Sequence, residues 1–140
     1  SAFPIAFGTE NMIDTFNQSS FYPGSAEHAL GKPIDYKGNT FEPIFKHSVI
    51  SLNLDGFIDL FKAKNPTHIK VDVDGVEFEI LKGAKNTIES SILRKVSIEV
   101  RMESPEEVKI INFMTSMGFE VNKGDILHNS GCLNYIFVRN

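Results

Sequence analysis

The sequence holds a single cysteine, Cys132. That excludes an intrachain disulfide and a cysteine-based zinc site, and it suits a reducing, cytoplasmic setting. No apolar run approaches the ~20 residues of a membrane span. The opening stretch, "SAFPIAFGTEN", lacks the charged start and long apolar core of a signal peptide. It begins with Ser rather than Met, so a processed, trimmed or partial chain is expected. There is no block of Lys and Arg: the net charge of -4 is spread along the chain. Non-specific binding to nucleic acid or to an anionic membrane, which needs clustered basic residues, is excluded on that ground. Internal repeats and low-complexity tracts are absent as well.

What is present is ordinary for a globular protein. The 140 residues are 41% hydrophobic and 23% charged, which predicts one domain spanning 1–140 with a real core. "FPIAF" (Phe3 to Phe7) and "MIDTFN" predict two short strands. Residues 18–43 are rich in Ser, Gly, Pro, Asn and Tyr and predict a long irregular segment, with "SAEHAL" as one helical turn inside it. A segment of that length is a lid, a binding loop or mobile. "NQS" at Asn17 fits a glycosylation triplet.

From His47 the pattern becomes regular. "HSVISL" predicts a strand. Asn53 caps a short helix with Asp55 in its first turn, ended by Pro66. "THIKVDV" predicts the next strand, and Val76, Ile80, Ala84 and Ile88 follow helical spacing. Gly83 falls inside that helix, where it costs ~1 kcal/mol relative to Ala, which points to close packing against the sheet. "RKVSIEVR" is a further strand. "SPEE" opens a helix with Ser104 as cap, Pro105 in the first position and Glu107 closing a capping box; Gly118 ends it. "FEV" and "CLNYIFVRN" are the last strands. Alternation of this kind predicts an α/β fold with a mostly parallel sheet and an antiparallel C-terminal strand pair.

The chemistry gathers in "IKVDVDGVEFEILKGA". Asp72 and Asp74 stand where a buried strand ends, Gly75 permits a sharp turn, and Glu77 lies in the first turn of the next helix. Ligands of open α/β sheets bind outside such strand ends. Carboxylates there accept hydrogen bonds from a ligand, and one can serve as a general base. The plainer account of Asp74 and Glu77 is helix capping, worth ~0.5–2 kcal/mol. Asp72 is harder to explain that way, because it continues an apolar strand. Asp-x-Asp-Gly matches part of a calcium loop, but the rest of the ligand series is missing; magnesium on Asp72 and Asp74 stays open. Glu99 ends the next strand at the same edge. His28 sits in the long irregular segment. Tyr22, Tyr36 and the N-terminal phenylalanines either line a cleft or pack.

These residues resemble the signature of FkbM-type S-adenosylmethionine-dependent methyltransferases. In that family a strand ending Ile-Asp-Val-Glu-Gly is followed by Ala-Glu and a helix with Leu-Lys-Gly-Ala; here the match is "HIKVDVDGVEFEILKGAKNTI". Upstream, "SVISLNLDGFIDLF" is similar to the family's Thr-Leu-Asp helix start, with Asn53, Leu54 and Asp55 in place. Downstream, Glu99 in "RKVSIEV" matches the family's acid. The resemblance covers about His47 to Gly118.

It implies a Rossmann-like methyltransferase sheet, S-adenosylmethionine as cofactor, and the hydroxyl of a small molecule or sugar as acceptor. Asp72 and Asp74 become candidate catalytic residues. Asp72, Gly75 and Glu77 become candidate cofactor contacts, and Glu99 and His28 candidate substrate contacts, with no metal. The family's glycine-rich cofactor loop has no counterpart before His47. The expected sheet is therefore incomplete, and the chain by itself is expected to be inactive. The strand carrying Asp72 is then expected to present a free edge, covered by the N-terminal segment or by a second copy. The competing reading is a non-catalytic α/β module that dimerises or binds a partner through that edge. A third is a metal-dependent α/β enzyme or phosphate binder of another class.

Overall fold

The computed structural model describes residues 2–23, 28–35, 38–126 and 131–140. Among them run β1 (Ala6–Phe7), β2 (Met12–Gln18), β3 (Ala29–Leu30), β4 (Phe45–Leu52), α1 (Leu54–Phe61) and β5 (His68–Val71). Then come α2 (Glu77–Lys82), α3 (Lys85–Glu89), β6 (Lys95–Arg101), α4 (Pro105–Ser116), β7 (Glu120–Ile126) and β8 (Cys132–Val138).

The strands form two four-stranded sheets, in orders β1-β4-β2-β3 and β5-β6-β8-β7. The α/β class holds, and the antiparallel C-terminal pair is there: β7 and β8 pair from Glu120↔Val138. The expectation of a mostly parallel sheet does not hold. Only β1 with β4 and β5 with β6 are parallel among the described pairs. The reason lies in β4. It buries only Ser51 and Leu52 at its end, too little for a parallel strand covered on both faces. It pairs instead with β2, antiparallel over seven positions from Met12↔Ser51 to Gln18↔Phe45.

The second sheet carries the core. Val71, Val96, Ile98, Val100, Leu133, Tyr135 and Phe137 alternate onto one face and pack against Leu81, Ile88, Ile110 and Met114 of the helices. Period-two alternation in the strands and helical spacing in α4 meet across one interface. In α4, Ile110 and Met114 are buried, whereas Val108 is 58% exposed.

Local signals acted where expected. Asn53 Oδ1 accepts from Gly56 N–H at 2.6 Å, and Ser104 Oγ from Glu107 N–H at 3.1 Å. Gly118, at φ 82, ends α4. Other expectations are corrected. Helix α1 stops at Phe61, with Lys62 left-handed at φ 50, before Pro66 is reached. The helix expected from Val76 to Ile88 is two, α2 and α3, broken at Gly83 and Ala84. The strand expected from "FEV" runs on to Ile126.

Within 18–43, Ala29–Leu30 pairs with β2 and Ile34 bridges Thr40. Of the helical turn expected over "SAEHAL", Ala29–Leu30 is strand instead, and residues 25–27 lie outside the described residues, as does Tyr36. Asn17 is 1% exposed, its amide donating to the carbonyls of Gly31 and Ala29, so the glycosylation triplet is closed off. No helix among the described residues is long and apolar enough to cross a membrane.

Candidate functional site at the end of strand β5

Two walls make the site. One is β5 and its continuation, from His68 through Val76. The other is the N-terminal sheet, through Ile5, Ala6, Phe7, Phe16 and His28–Leu30. Between them lies a cleft of 1180 Å³.

The N-terminal wall is held by contacts distant in sequence. Thr9 Oγ1 donates to Glu79 Oε2 at 2.7 Å, and Asn53 N–H donates to Asn11 Oδ1 at 2.9 Å. Phe3 and Phe7 pack edge-on against Phe57 of α1 at 5.2 and 5.6 Å. The aromatic residues thus divide. Phe7 and Phe16 line the cleft, Phe3 serves packing, and Tyr22 is largely exposed.

Strand β5 ends at Val71, and the chain then turns through Asp72, Val73, Asp74 and Gly75 into α2. Val73 lies outside the strand and is 40% exposed, so the expected strand is shorter by its last residues. Gly75 has φ 98, a left-handed backbone that a side chain would strain. Asp72 and Asp74 both line the cleft. The Asp72 carboxylate is 2.6 Å from Lys70 Nζ, and this pair holds the lysine above its ordinary value.

Glu99 follows one strand over, continuing the β5–β6 register in which Val71 stands beside Ile98. Burial first, and then the Asp72 charge beside it, raises its carboxyl above the ordinary range. Asp72 and Glu99 are therefore brought together, but β6 runs on past Glu99 to Arg101, and Glu99 is not among the residues that line the cleft. His28 lies across the cleft on the other wall, its ring edge-on to Phe16 at 5.6 Å and its Nδ1 accepting from Ser19 N–H at 3.3 Å.

Glu77 does something different. It is 5% exposed, and its Oε1 accepts from Gly75 N–H at 3.1 Å. Burial pushes its carboxyl up to about 7, with the charges of Glu106 and Asp74 adding to the effect. The side chain is turned onto the loop backbone and braces the turn that carries Asp72 and Asp74. The N-terminus of α2 is likewise taken: Phe78 N–H donates to Glu106 Oε1 of α4 at 3.1 Å. Among the described residues, no group of three or more His, Cys, Asp or Glu is placed to hold a metal ion.

Sequence reasoning placed Asp55 in the first turn of α1 but missed its partners, and it missed the role of Glu106. Asp55 accepts from Asn86 N–H, Thr87 N–H and the Thr87 hydroxyl at 2.8, 2.8 and 2.6 Å, capping α3 rather than its own helix. Each acts on a helix start remote in sequence. The one visible signal was an acid beside a cap already satisfied by its neighbour.

An acid-bearing turn at the end of a parallel strand, facing a cleft, belongs to the ligand-binding class of α/β domains. Residues 8–121 match the family profile of the methyltransferase FkbM domain, and the chain belongs to that family. Among solved structures, the crystal structure of methyltransferase FkbM from Methylobacillus flagellatus KT covers 98% of this chain, with a TM-score of 0.64 and 16% identity. That likeness is one of fold, and this chain spans 28% of the length of that one. No curated protein matches the sequence.

Proposed function

We propose that this domain serves S-adenosylmethionine-dependent transfer of a methyl group to a hydroxyl of a small molecule or sugar, within a Rossmann-like methyltransferase sheet. The observation that carries the reading is Asp72. It stands at the end of β5, half exposed on the wall of a 1180 Å³ cleft and beside Glu99, in a chain of the FkbM family.

S-adenosylmethionine supplies an activated methyl group on sulfur, so the protein's share is positioning and proton handling. Asp72 orients the acceptor hydroxyl and takes its proton, and Asp74 lies on the same wall. Gly75 lets the backbone come close, while its N–H is held by Glu77. Glu77 thus supports the cofactor wall from behind. His28 faces the acceptor from the other wall of the cleft, and Glu99 acts on it from beside Asp72.

These residues fit one wall of a cofactor site. The sequence before His47 contains no Gly-x-Gly stretch to receive the methionine end. The 140-residue chain by itself is therefore inactive in this reading, and calorimetric titration with S-adenosylmethionine gives no measurable heat of binding; tight binding overturns that part. The activity is tested on the protein expressed from its whole reading frame with methyl-labelled cofactor. Label reaches a hydroxyl acceptor, and Asp72→Asn lowers the rate about 100-fold, the low end for loss of a general base. Absence of transfer, or an unaffected Asp72→Asn variant, overturns the assignment.

A further inference from the structure

The edge of β5 turned away from β6 has no strand partner among the described residues. It opens instead on the cleft, which His68 to Val71 line. The Thr67 carbonyl accepts from the N–H groups of Arg94 and Lys95. The backbone groups of Thr67, Ile69 and Val71 are thereby directed toward β6, and by alternation those of His68 and Lys70 face the open edge. Lys70 and Asp72 share one face of the strand, with side chains 65% and 49% exposed.

The sequence along this edge is complementary to its own reverse. In "HIKVDVD", His68 to Asp74, two basic positions precede Val71 and two acidic positions follow it, each pair separated by one apolar residue. Laid antiparallel about Val71, the segment sets Lys70 opposite Asp72, Ile69 opposite Val73 and His68 opposite Asp74. Lys70 and Asp72 then occupy a hydrogen-bonded position of the ladder. Centring the pair one residue earlier sets Lys70 against Lys70, and like charges directly opposed are destabilising. Charge thus favours this register over its neighbour and a second copy of the strand as the occupant.

We propose that the 140-residue chain self-associates through the open edge of β5. Two copies form an antiparallel β5–β5 pair about a two-fold axis at Val71, with Lys70 of each copy against Asp72 of the other. The contact is isologous and joins the two C-terminal sheets into one. It also orders the residues after Val71 as strand, placing Asp72 at the interface.

Sedimentation of the chain over a concentration series tests this. The expected species has twice the 15.7 kDa of one chain. Lys70→Asp sets acids against acids across the axis and weakens association about tenfold or more. The double exchange Lys70→Asp with Asp72→Lys restores association, because the pattern is again complementary to its reverse. Circular dichroism of each variant reports that it is folded. A folded chain that stays monomeric at every concentration overturns the proposal, as an extended segment of the same polypeptide lying along the edge would make it. So does a dimer indifferent to Lys70→Asp, or a double exchange that fails to restore it.

Discussion

Replacing Gly83 by Ala sets two effects of opposite sign against each other. Gly83 has φ -74 and ψ -5, ordinary helical values, so its backbone accepts any L residue. At an open site the change would stabilise by about 0.4–1 kcal/mol, because alanine has less freedom to lose on folding. Here the added Cβ would lie 2.1 Å from the Gly8 carbonyl oxygen and 2.9 Å from Asn53 Cβ. The first is a backbone atom, so no rotamer change relieves it. Overpacking of this kind costs about 1–3 kcal/mol, occasionally more. Moving Gly8 also strains its N–H bond to the Leu52 carbonyl at 3.0 Å and the neighbouring Thr9–Glu79 bond, at about 1 kcal/mol each. The net expectation is destabilisation by about 3 kcal/mol, or a loss of about 10 °C in Tm for a chain of this size. Urea unfolding followed by circular dichroism measures it. Amide exchange should show the loss first in β1 and at Leu52, where the N-terminal sheet meets α2. A Gly83→Ala protein as stable as the parent, or more so, would refute the close approach of Gly8 and with it the placement of the N-terminal wall.

Asp55→Ala removes three hydrogen bonds at the start of α3 and should cost about 2–3 kcal/mol in urea unfolding; Asp55→Asn should lose about half of that, since an amide nitrogen cannot accept. Glu77, raised from 4.5 to about 7 in the folded chain, makes folding more favourable below pH 4.5 than above pH 7, by about 3 kcal/mol. Stability should fall across that window as pH rises, and Glu77→Gln, whose carbonyl still accepts from Gly75, should flatten the fall in denaturation curves taken at several pH values. Tyr135, buried and donating its hydroxyl to Glu107, is raised from 10.0 to about 12. Ultraviolet titration should show its phenolate only near that value, and Tyr135→Phe should cost about 1–2 kcal/mol.

What the sequence displayed were features decided within one turn or one strand. The caps at Asn53 and Ser104, the stop at Gly118 and the alternation of "KVSIEVR" and "CLNYIFV" depend on neighbours a few residues away. The strand end at Asp72, its turn at Gly75 and its proximity to Glu99 were legible for the same reason, given parallel β5 and β6. What was hidden depends on partners far along the chain. Alternation in "HSVISL" says strand but not which sheet, and β4 left the parallel series for β2. The helical period from Val76 to Ile88 is continuous, and only the approach of Gly8, 75 positions earlier, marks Gly83 as a break. Asp55 carries the sign of a first-turn acid and spends its oxygens on another helix.

Those long-range acids also change how the acid-rich turn is to be understood. A carboxylate near a helix start admits two explanations, capping or chemistry, and the residues here divide between them. Glu77 and Glu106 are committed to the backbone N–H groups of Gly75 and Phe78. Were they the only acids present, the turn would be fully explained as structure. Asp72 is not used that way: its ion pair with Lys70 is solvent-exposed and screened by water. It also stands beside Glu99, whose carboxyl is raised above its ordinary range first by burial and then by the Asp72 charge. A fold gains little from two acids crowded at a strand end beside a cleft. A hydroxyl acceptor gains an oriented proton acceptor, and a second copy of the strand gains a counter-charge for its lysine. Both proposed uses fall on Asp72, the acid of the turn that is not committed to a backbone N–H as Glu77 and Glu106 are.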